Sequence, residues 1–191
     1  VVTVTRHLRA LAEDAALASV VIGAGVVQWA TRNFSELGPT PDAGRLATAP
    51  DLLGLVLVVL AGLPLLVRRR HPLAVLATTC AASIVALALR YGIVVHLGPA
   101  VALFTVAQLD GRTRRLWGTA GGAVAFVAVA ALEWERLDAR GDFGIDAILW
   151  AGAWAAGAQR RLEAHRRAER REHELAAAAA AERARIAREL H

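Results

Sequence analysis

Apolar residues in this chain come in long runs, not in alternation, and nearly every run ends at an arginine cluster or a turn-forming stretch. The runs lie near 11–30, 52–67, 73–90, 93–109, 116–132 and 145–158. Each approaches the ~20 residues that carry a helix across a bilayer, so the pattern predicts six apolar helices and no strands. The joints carry breaker chemistry. The first holds Pro39, Pro41 and two glycines, the third and fourth runs are broken at Arg90-Tyr91-Gly92, and an acidic stretch from Glu133 to Asp142 precedes the last run. From Gln159 to His191 there is neither proline nor glycine, and alanine, arginine, glutamate and leucine dominate. These are strong helix formers, which predicts one helix continuing out of the sixth run.

Composition turns the helices into a membrane expectation. Of 191 residues 56% are apolar, and the 20% that are charged are clustered, not dispersed. All 22 basic residues are arginine and the net charge is +5. The arginines flank the apolar runs at Arg6 and Arg9, at Arg68-Arg69-Arg70, at Arg112, Arg114 and Arg115, and at Arg160-Arg161. If basic loops stay on the cytoplasmic side, the chain crosses an even number of times between clusters. The expected fold is therefore an all-α polytopic bundle of about six spans with both ends cytoplasmic, in the plasma membrane. The fourth run, interrupted by Gly98-Pro99, and the Ala/Gly-rich sixth are the weakest; if lost, they are lost with their partners, giving four spans. The acidic loop before the sixth run, where Glu133, Glu135, Asp138 and Asp142 outnumber Arg136 and Arg140, suits the outside. Glu13 and Asp14 interrupt the start of the first run, which argues against a cleaved signal peptide. The outer loops are too short for a folded sensor domain.

Other features narrow the classes. The basic charge forms no continuous face with stacking aromatics, so direct nucleic-acid binding is not expected. The tryptophans fall near run ends or inside runs, as interfacial anchors do. Cys80 stands alone in an apolar run, which excludes a disulfide framework and reads as a small buried hydrophobe. The ionisable residues near bilayer depth are Glu13, Asp14, Arg90, His96 and Asp146. All fall at run edges, where snorkelling to water is expected. Mid-run polar residues are few, mainly Thr78, Thr79, Ser83 and Gln108, which speaks against a transporter site at mid-membrane; a paired charge there would favour one. The Gly118–Gly122 stretch is expected to ease helix packing. A Val1 start suggests a fragment or an alternative start codon.

The tail carries the candidate chemistry. Glu163 with Arg167, and Glu169 with His173, sit four apart and can pair. Leu175, Ala179, Ile186 and Leu190 share one stripe that Glu182 interrupts, a modest dimerisation signal. On a helix His191 lies about 140° from Ile186 and about 100° from Leu190, beside such a stripe with its ring toward solvent.

The segment Glu182-Arg-Ala-Arg-Ile-Ala-Arg-Glu-Leu-His191 resembles the phosphoacceptor segment of two-component sensor histidine kinases, in the subfamily whose receivers carry helix-turn-helix DNA-binding domains. The Arg68-Arg69-Arg70-His71-Pro72 loop is similar to one that recurs in membrane-sensor regions of actinobacterial kinases of this type. The resemblance implies residues 1–158 as a membrane sensor, 159–181 as a signalling helix, and 182–191 as the start of a dimerisation and phosphoacceptor domain. It further implies a homodimer with Leu175, Ile186 and Leu190 in its core. His191 would be the nucleophile toward ATP, and the phosphoryl group would pass to an aspartate of a receiver domain. Arg185 and Arg188 would be contacts for phosphate or receiver. ATP and Mg belong to a nucleotide-binding domain of which these 191 residues carry no motif, so the segment alone is expected to bind no cofactor or metal and to be inactive. The rival reading is a membrane anchor with a helical oligomerisation tail. Membrane lipid is a partner on either view.

Overall fold

A computed structural model describes residues 2–35, 51–89, 91, 96–134 and 142–189, and these are helical with short connections. The helices are α1 (Val2–Ser35), α2 (Leu52–Gly62), a 3₁₀ turn at Leu63–Val67, α3 (Pro72–Ala88), α4 (Leu97–Ala107), α5 (Arg112–Trp134) and α6 (Asp142–Glu189). Each expected apolar run corresponds to one of them. The fold is all-α.

Local chemistry explains the boundaries. Asp51 caps α2: its backbone is extended and its side chain accepts from the Gly54 N–H at 2.9 Å. Pro64 has no N–H to return to the preceding turn, and the helix tightens to 3₁₀ there. The arginine triplet follows as a turn, and Pro72 opens α3 at the helix start, where a missing N–H costs nothing. Gly98-Pro99 does not interrupt the fourth helix as expected from sequence. Both residues sit in the first turn of α4 behind His96, a position proline tolerates.

The fourth helix, the weakest by sequence, is the centre of the packing. At 11 residues it is about 16 Å long, and α3, α5 and α6 all pack on it. Gly98, Pro99, Ala100, Ala102, Leu103, Val106 and Ala107 are buried. Small residues on its neighbours let backbones approach. A Cβ at Gly157 of α6 would meet the Phe104 carbonyl and, at 2.9 Å, the Ala107 Cβ. Gly118 lies against Val106 and Leu73, and a Cβ at Gly122 would stand 2.9 Å from the Leu103 side chain. These two glycines of the Gly118–Gly122 stretch therefore serve packing, as expected, while Gly121 faces open space.

The outer surface of the bundle is apolar. Leu52, Val124 and Ile148 are 71–76% exposed, and Val20, Val27 and Val127 are similarly open. Among the described residues two helical stretches, Leu11–Ala30 and Arg112–Leu132, are long and apolar enough to cross a membrane. Leu52–Val67, Pro72–Ala88 and Leu97–Ala107 are shorter apolar helices.

Candidate functional site

Charged side chains gather at the two ends of the bundle, and of the residues expected to snorkel, Asp14, His96 and Asp146 are buried instead. At one end, Asp14 of α1 is 2% exposed and Arg68 6%. The Arg68 Nη2 lies 2.7 Å from Asp14 Oδ1, and its Nε donates to the same oxygen at 2.8 Å. Arg69 Nε donates to Asp14 Oδ2 at 2.9 Å, while Arg69 Nη2 reaches Glu13 at 2.8 Å. The snorkelling expectation therefore fails for Asp14. The turn after the 3₁₀ segment brings two guanidiniums onto its carboxylate, and shared charge-assisted bonds replace water. Glu13, one residue earlier on the helix, points outward and stays exposed. The arginine triplet is therefore more than a topology mark, because it ties α1 to the α2–α3 turn.

Arg160 stands at the same end, with its guanidinium 5.6 Å from the Phe104 ring centroid, within cation–π range. Arg115 Nη1 donates to the Leu109 carbonyl at 3.3 Å, and His165 faces Asp110 at 3.5 Å. At the opposite end, the Tyr91 hydroxyl donates to Asp51 at 2.6 Å. That bond holds the Asp51 carboxyl below its ordinary range, with help from the Gly54 N–H, and pushes the Tyr91 phenol up to about 12.

His96 and Asp146 form a second buried pair, 3.5 Å apart and 5% and 9% exposed. Here too snorkelling is not what the fold does: α4 and α6 pack so closely that both side chains face each other between them. Asp146 is 14 residues from Arg160 along α6, or about 21 Å.

The remaining polar residues are satisfied locally. Thr79 donates to the Val75 carbonyl at 2.9 Å, Ser83 to the Thr79 carbonyl at 2.9 Å, Thr78 to Ala74, and Gln108 to Phe104 at 3.1 Å. Back-bonding of this kind is how helical hydroxyls avoid an unmet donor. Cys80 is buried, as expected. The tryptophans divide. Trp117 is 73% exposed and suits an interface, whereas Trp150 is buried with its ring 5.4 Å from Phe126. Anchoring is thus the wrong reading for Trp150, which is core.

Two clefts between helices occur among the described residues. One, of about 360 Å³, separates α5 from α6 and is lined by Phe126, Trp150, Trp154 and small residues. The other, of about 610 Å³, runs along α4 between α1 and α6.

The tail is one unbroken helix with the sixth apolar run, as predicted, through Glu189. Beyond Arg161 its side chains are almost wholly exposed. Glu163 and Arg167 pair at 3.0 Å, but Glu169 and His173 do not. Leu175 is 72% and Ile186 45% exposed in the single chain. Arg185 bridges Glu182 at 2.7 Å and Glu189 at 3.7 Å, and Arg188 donates to the Ala184 carbonyl at 3.2 Å. Both arginines are at the surface, where such pairs break at little cost. Leu190 and His191 lie outside the described residues, as does Arg90. No group of residues suited to a metal ion occurs among the described residues. The buried Asp14–Arg68 contact was missed by sequence reasoning. The only signal for it was an acidic pair inside an apolar run and an arginine triplet, with nothing to say that they meet.

Comparison with protein-family models, with characterised proteins and with solved structures returns no match.

Proposed function

We propose that this chain is the membrane-sensing and dimerising part of a two-component sensor histidine kinase, with His191 as phosphoacceptor. The observation that carries the reading is α6, 48 residues from Asp142 to Glu189. It leaves an apolar bundle and runs without a break into the first eight residues of the phosphoacceptor-like segment. A single helix of that kind can pass a change in packing at one end to the other, because helical backbone has no hinge at which to lose it. The exposed stripe with Leu175 and Ile186 is the face a second copy would cover. The imidazole of His191 attacks the γ-phosphorus of ATP and forms a phosphoramidate, which passes to a receiver aspartate. Nucleotide and Mg are held by a separate ATP-binding domain that these residues do not supply. Six spans with both termini cytoplasmic complete the reading, supported by the apolar outer face and the arginine clusters.

The test is phosphorylation of the full gene product in membranes with γ-labelled ATP. Label that is acid-labile, and that disappears in His191→Gln, is the expected result. Label absent from the wild type, or retained by His191→Gln, overturns the kinase reading and favours a non-enzymatic anchor with an oligomerisation tail.

One observation favours a transport reading: His96 and Asp146 form a buried pair within the depth of the bundle. Against it, the polar residues of α3 bond to their own backbone, and the α5–α6 cleft is apolar.

A further inference from the structure

The cleft between α1 and α6 has the form of an amphiphile site. Its floor is α4, its volume is about 610 Å³, and that lies within the roughly 300–1,000 Å³ of small-ligand sites. Leu17, Leu97, Val101 and Leu149 line its length, and each is only partly buried. The polar lining is confined to one end, where Glu13, Arg68 and Arg160 stand. Glu13 is engaged by Arg69 at 2.8 Å. Arg160 meets only the face of Phe104, and the buried Nη1 of Arg68 has no acceptor among the described residues. An unmet cationic N–H in such a wall is costly, and an anionic oxygen at the mouth would offset it.

Length identifies the occupant. From Leu149 to Arg160 the cleft follows 11 residues of α6, about 16 Å. That is close to half of a ~30 Å hydrocarbon core, with the arginines at the cytoplasmic boundary. We propose that this cleft binds one anionic phospholipid of the inner leaflet, its phosphate between Arg160 and Arg68 and an acyl chain along α4. The site rests on the membrane reading above and is independent of the kinase reading. It lies against α6, so its occupancy bears on the helix that forms the tail.

The experiment is native mass spectrometry of the detergent-purified chain after exchange into equal phosphatidylglycerol, phosphatidylethanolamine and phosphatidylcholine. The expected result is one retained phosphatidylglycerol per chain. Arg160→Gln should lower that preference about fivefold, the effect of one arginine near an anionic headgroup. Ala153→Phe, which fills the cleft, should lower retention of every lipid. Equal retention of the three lipids, or a phosphatidylglycerol preference unchanged in Arg160→Gln, overturns the proposal. So does a second copy of the chain cross-linked across the cleft. A chain that stays in solution without detergent instead removes the membrane reading itself, an outcome visible before any lipid is added.

Discussion

Replacing Asp14 by Asn leaves the Arg68 guanidinium buried with its charge uncompensated, since the contact at 2.7 Å is its only ion pair among the described residues. Breaking one side of a buried pair costs about 3–5 kcal/mol. Asp14→Asn is therefore expected to lower the melting temperature in detergent sharply. Glu13→Gln removes an exposed partner of Arg69 and should cost no more than about 1 kcal/mol. Equal melting of the two variants would mean that the buried pair does not hold α1 to the bundle. Tyr91 allows a second test, because it is the only tyrosine in the chain and its tyrosinate absorbance has one source. Its bond to Asp51 predicts titration at about 12 against an ordinary 10.0. Asp51→Asn should bring it back toward the ordinary value. The linkage has two edges. The Asp51 carboxyl is held low, so its contribution is present above 3.8 and is lost as pH falls through its depressed value. Tyr91 is held high, so its contribution is present below 10.0 and is lost as pH rises through about 12. A thermal-stability profile of Tyr91→Phe should lose the alkaline edge. If the wild type keeps Tyr91 at its ordinary value, the hydrogen bond is not formed in solution.

Between elements, close approach at α4 governs the packing, and two glycines of α6 separate propensity from contact. Alanine at a helical glycine gains about 0.5–1 kcal/mol where nothing opposes it. Gly152 has nothing within 4 Å of its missing Cβ, whereas Gly157 faces backbone of α4. Gly152→Ala should therefore raise the melting temperature, and Gly157→Ala should lower it, by the about 1–3 kcal/mol of an overpacked contact. The same sign for both would contradict the α4–α6 packing. Sequence made the elements legible because apolar runs and breakers are local signals. Six runs gave six helices, and the absence of glycine and proline after Gln159 gave the tail. It did not make α4 legible as the centre, since centrality depends on what surrounds a helix. Gly98, half of the Gly98-Pro99 pair that makes α4 look weak, is where a Cβ would run into the Ala61 carbonyl of α2. Burial of His96 and Asp146 was hidden for the same reason. The distance from a run edge says where water can be, but not which helix covers the residue. Leu175 and Ile186 were legible as a stripe, and their exposure leaves that stripe uncovered in the single chain.

For the whole molecule, the bundle has two chemically different ends. Asp14, Arg68, Arg69, Arg115, Arg160 and Asp110 gather at one, while Asp51 and Tyr91 meet at the other. This segregation agrees with the parity argument from arginine clusters and uses different information: contacts, not loop charge. Six crossings put positions 43 and 92 on one side of the membrane and position 111 on the other. Two crossings, by α1 and α5 alone, put positions 43 and 111 on the same side. Four crossings without the α3–α4 pair move position 92 to the side of 111. Cys80 is the only cysteine, so Cys80→Ser gives a background in which Ala43→Cys, Gly92→Cys and Gly111→Cys each report one loop. With an impermeant maleimide on intact cells, the first two are expected to label and the third only after permeabilisation. Labelling of the third from outside, together with the first, would reduce the bundle to two spans. Arg68 would then no longer share a membrane face with Arg160 and the tail. Labelling of the second only after permeabilisation would place α3 and α4 on the cytoplasmic side. In that arrangement the most buried helix would be shielded by protein instead of lipid, and the exposed Leu73 and Val85 of α3 would need a different cover.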